Sequence, residues 1–71
     1  MEEKERLSIV LEHWIEHNQS HIAEYQKWVE RAGVLGLELV KAEIKEAVGK
    51  LSLANRHLEQ ARNALTLSSL G

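Results

Sequence analysis

An all-α antiparallel helical hairpin is the fold this 71-residue chain predicts, and three observations predict it. Pro is absent and Gly occurs four times, while Glu, Ala, Leu and Lys, residues that cost a helix little, are plentiful. Apolar residues recur every three or four positions along two long stretches. One segment carrying two of the glycines separates those stretches, where a two-helix chain would turn.

The first helix is expected over about residues 3–32. At 100° per residue, Leu7, Leu11, Trp14, Ile15, Ile22, Tyr25, Val29 and Ala32 fall on one stripe, with Val10 and Trp28 at its edge. The turn is expected at about 33–36, because Gly33 or Gly36 can take the left-handed conformation that closes a helix. Glu38 then falls in the next first turn, where a carboxylate suits the positive end of the helix dipole. The second helix is expected over about 37–67, followed by a frayed tail. Its stripe is Val40, Ile44, Ala47, Leu51, Ala54, Leu58, Ala61 and Leu65, and Gly49 lies on the opposite side.

A short connection makes the helices antiparallel, yet each apolar arc spans about 140°, wider than one neighbour covers. A core of this size is marginal alone, and the absence of Cys removes disulfides and thiolate metal sites. The expected solution is self-association as a homodimer or higher oligomer, two hairpins about a two-fold axis forming a four-helix bundle.

Nine Lys and Arg are interspersed among eleven acidic residues, for a net charge of −2, which argues against a phosphate-binding surface and so against nucleic acid. No apolar run approaches the ~18 residues that span a bilayer, and the Glu-rich start lacks the basic residues of a secretion signal. A soluble, cytoplasmic protein without a membrane partner is expected. No nucleophile and base pair, phosphate loop or acidic dyad can be assembled, so no enzyme is expected.

The chemically informative stretch is His13-Trp14-Ile15-Glu16-His17-Asn18-Gln19-Ser20-His21. His13, His17 and His21 recur every four residues and climb one flank of the apolar stripe, His21 closest to it and His13 furthest out. His57 flanks the second stripe. A fold about position 35 sets residues whose numbers sum to about 70 at one level, which places His57 beside His13. Two imidazoles at i and i+4, with a third from the facing helix, supply three nitrogen ligands and leave a fourth position open. His13, His17 and His57 are therefore the candidate ligands of Zn²⁺ or Ni²⁺. His21, about 12 Å along the axis from His13, is a further candidate for a second site or as a partner of His17. Coordination needs neutral rings, so affinity should fall as pH drops through the ordinary histidine range near ~6.5.

The competing reading makes these residues half-covered boundary histidines of a purely structural oligomerisation or interaction module that binds no metal. His13-Trp14-Ile15-Glu16-His17 also matches the H-x-x-E-H zinc signature, but three fixed positions on a chain with no substrate cleft do not make a hydrolase. Asn18 sits near the centre of the first stripe, where a buried amide sets register or, alternatively, holds a histidine tautomer. Trp14, Tyr25 and Trp28 read as core and interface aromatics.

The run Leu11-Glu12-His13-Trp14-Ile15-Glu16-His17-Asn18, with His21, the Gly turn, and Ala54, Asn55 and Leu58, resembles a small uncharacterised prokaryotic helical-hairpin domain. The resemblance implies the same fold and draws attention to the histidines without implying a chemistry.

Overall fold

The computed structural model describes residues 2–70, with side chains through residue 68. Two antiparallel helices, α1 (Glu3–Val34) and α2 (Glu38–Leu70), pack against each other, and no strand occurs among the described residues. The second helix runs on to Leu70, into the tail expected to fray, whose last residue, Gly71, lies outside the described residues.

The turn closes α1 with a pair of overlapping hydrogen bonds. The Leu37 amide donates to the Ala32 carbonyl at 2.9 Å and the Gly36 amide to the Gly33 carbonyl at 3.1 Å, which together satisfy carbonyls the helix leaves open. This pattern needs a left-handed residue between them, and Gly36 supplies it with φ of 74°. Gly36, not Gly33, is thus the conformational glycine. Nothing lies within 4 Å of a Cβ added at either Gly36 or Gly49, so backbone conformation alone decides what alanine does at each. Gly36→Ala should cost about 1–2 kcal/mol, the penalty for an L-residue held at positive φ. Gly49→Ala, in the middle of α2, should stabilise by about 1 kcal/mol through helix propensity. Urea denaturation of the two variants checks both signs.

Along α1 the more buried residues follow a strict alternation of three and four, through Leu11, Ile15, Asn18, Ile22, Tyr25 and Val29. Along α2 the same spacing runs through Ile44, Val48, Leu51, Asn55, Leu58 and Arg62. Asn18 Nδ2 donates to Asn55 Oδ1 at 2.9 Å, which fixes the register. That register sets Ile15 level with Leu58, Ile22 with Leu51 and Val29 with Ile44. Asn55 is 6% exposed and its own amide donates to the Ile15 carbonyl at 3.1 Å, so the buried polar group is satisfied on both sides.

The second helix is rotated relative to the expected stripe. Ile44, Leu51, Leu58 and Leu65 meet the seam as expected, but Lys41, Val48, Asn55 and Arg62 share it with them. Val40, Ala47, Ala54 and Ala61 are exposed instead. Asn55 is tolerable there because Asn18 answers it. Lys41 and Arg62 occupy the two ends of the seam, where a long stem can cover apolar surface while its charge reaches water. Lys41 lays its side chain against Gly33, its Nζ and Cδ lying 3.3 and 3.5 Å from where a Cβ on that glycine would stand.

Candidate functional site

Because the helices run oppositely, the residues preceding the seam positions on both helices flank the same side of the hairpin. On α1 this flank is Leu7, Trp14, His21 and Trp28, each seven residues from the next. On α2 it is Val40, Ala47, Ala54 and Ala61, again every seven. By the Asn18–Asn55 register, Trp28 stands within two residues of level with Ala47, His21 with Ala54 and Trp14 with Ala61. A row of large residues thus runs beside a row of small ones.

This face is apolar and open. Trp14 is 48% exposed and Trp28 53%, and Leu7 and Val40 are exposed as well. At the turn end a shallow, mostly apolar groove is lined by Tyr25, Leu39, Val40, Ile44 and Ala47, with Glu43 as its one charged residue. The opposite flank carries Glu12, Gln19 and Gln26 on α1 and Lys45, Ser52 and Glu59 on α2. Among the described residues, the only buried hydrophobic side chains are Leu11, Ile15 and Ala32. The seam alone therefore removes little apolar surface from water.

The histidines climb the edge of the open face. His21 lies on it, and the His17 and His21 rings meet edge to face with centroids 4.4 Å apart and Nε2 atoms 2.9 Å apart. One ring must donate through Nε2 and the other accept. Tyr25 stacks on the other side of His21 at 5.9 Å and 28°. His13 stacks on His17 at 6.2 Å from the outward side of α1. His57 is level with Glu16, close to the height expected for it, but among the described residues it makes no hydrogen bond or ring contact. Nor does any group of three or more His, Asp or Glu among the described residues stand in an arrangement that could hold a metal ion. One hairpin therefore brings His17 and His21 to a common point and leaves the expected His13, His17 and His57 set unassembled.

The amide of Asn18 goes to Asn55 and not to a histidine, so of its two readings the register role is the one with a partner. Hydropathy alone does not mark Asn55 as a core residue. Its seven-residue spacing from Val48 and Arg62 is the signal that marks it.

The fold and this surface define a small two-helix domain with one long apolar face and a histidine ladder at its edge. The chain belongs to the family described as a domain of unknown function, DUF8180, whose model matches residues 7–65 and so takes in the seam, the turn and all four histidines. No curated protein and no solved structure matches it. Among the described residues, no helix is long and apolar enough to cross a membrane.

Proposed function

We propose that this chain is a self-association module, two copies packing their apolar faces together as a four-helix bundle, and that it catalyses no reaction. The observation that carries this reading is the open face with Leu7, Trp14, Trp28 and Val40 exposed along it, opposite a polar flank. Monomeric proteins rarely leave a contiguous apolar patch of that kind uncovered.

Size and shape both favour a second copy as the cover. The body measures 53 × 18 Å across its broad side, roughly 950 Å² in projection, against about 800 Å² per partner in a standard stable interface. The face is also complementary to itself. A two-fold axis running along the helices lays the Trp row of α1 on the Ala row of the second copy's α2, and does so twice by symmetry. Large residues then fill the space that small ones leave, as close-packed cores require. The interspersed charges give such a bundle a mixed, solvated exterior with no basic surface for nucleic acid.

Sedimentation equilibrium in metal-free neutral buffer should return at least twice the 8.1 kDa chain mass. A folded monomer with a cooperative unfolding transition would overturn the reading.

A further inference from the structure

We propose that His17 and His21 are one half of a divalent-metal site that a second copy of the chain completes. It rests on the face-to-face dimer, whose central layer would hold four imidazole nitrogens, two from each copy, around one ion of the Zn²⁺ class.

The half-site is already arranged within one hairpin. His17 Nε2 and His21 Nε2 lie 2.9 Å apart in a hydrogen bond that a metal ion would replace, and a tetrahedral ion with Zn–N bonds of 2.0–2.1 Å needs roughly 3.3 Å between its nitrogens. A small rotation of either ring opens that gap. Tyr25, stacked on His21, holds the second ring in place from the far side. Two nitrogens are too few for a tetrahedral ion, and no third His, Asp or Glu joins them among the described residues. The missing ligands must come from outside the hairpin.

Symmetry supplies them at the right place. His21 lies midway between Trp14 and Trp28, seven residues from each. A two-fold axis along the helices keeps His21 at its own level, diagonally across the bundle from His21 of the second copy. An axis across the helices at that level exchanges the Trp14 and Trp28 positions and again returns His21 to the same layer. Either way the two His21 rings share one layer of the bundle, each with a His17 beside it. Ala54, beside His21, is the small residue that leaves room for the rings. Imidazole nitrogen suits Zn²⁺, Co²⁺ and Ni²⁺, and four of them with no thiolate make a site that Co²⁺ reports by the strong visible absorption of its tetrahedral complexes.

The test uses the full chain purified without a histidine tag, titrated calorimetrically with ZnCl₂ and spectroscopically with CoCl₂, after sedimentation of the metal-free protein. The expected result is one Zn²⁺ per two chains. His17→Ala and His21→Gln should each weaken binding at least tenfold while remaining dimers, and His13→Ala and His57→Ala should bind as wild type does. A dimer that takes up no zinc, takes up one ion per chain, or keeps its affinity in both the His17 and His21 variants overturns the site and leaves the assembly standing. A metal-free monomer overturns the assembly reading. If that monomer pairs only when zinc is added, at one ion per two chains, the site stands.

Discussion

Truncation of Trp28 to alanine should destabilise the folded protein by about 3–5 kcal/mol per chain, the range for a large aromatic removed from a packed core. Within one hairpin Trp28 is 53% exposed, and a surface side chain of that kind would ordinarily contribute within about 0.5 kcal/mol. The two magnitudes differ enough that one variant separates a covered face from a bare one. Lys27→Ala, exposed on the neighbouring position, provides the surface comparison. Urea denaturation should be run at several protein concentrations, because the midpoint of an associating protein rises with concentration while that of a monomer does not. A near-silent Trp28→Ala with a concentration-independent midpoint would show that nothing packs on this face.

The second large effect is expected at the amide pair. Asn55→Ala leaves the Asn18 amide part-buried without its 2.9 Å partner, and a stranded buried amide costs about 1–3 kcal/mol. Replacing both residues by Leu removes the polar groups together and fills the seam, so the double variant should be more stable than either single one. Stability is not the whole outcome. The amide pair is a directional side-chain contact in the seam that specifies register, as buried Asn does in coiled coils. The double variant should therefore sediment as a mixture of masses where wild type gives one. A double-mutant cycle checks the energetic half, with a coupling of about 0.5–3 kcal/mol expected for contacting residues. Effects that simply add would mean that the two amides do not act as a unit.

The two helices, their order and the place of the turn were legible in the sequence, because a long 3.6-residue periodicity and a Gly-bearing break are local signals. The rotation of α2 was not. Ile44, Leu51, Leu58 and Leu65 belong equally to two overlapping seams, one completed by Val40, Ala47, Ala54 and Ala61 and the other by Lys41, Val48, Asn55 and Arg62. Hydropathy selects the first. The structure gives the second to α1, because Asn55 has its partner in Asn18 and the cationic stems can escape at the ends. A partner's side chain cannot be seen in one helix's periodicity. The breadth of the arc is legible in the sequence, and its surplus lies on a separate, exposed face.

The candidate histidine site was half legible for a related reason. Spacing of four residues says that His17 and His21 can meet, and they do, at 2.9 Å. Whether a residue of α2 can join them depends on the rotation about the α2 axis, which hydropathy does not fix. His57 reaches the expected level but not the pair, since level follows from counting residues while azimuth follows from packing.

The tight turn at Gly36 gives the hairpin a blunt end and an open end, so the 53 Å body is a vector. Pairing about an axis along the helices aligns two such vectors and gathers both open ends at one pole, which makes the assembly a clamp. Pairing about an axis across them opposes the vectors and sets the open ends a full helix length, roughly 50 Å, apart, which makes it a strut. The match of the Trp row to the Ala row favours the clamp.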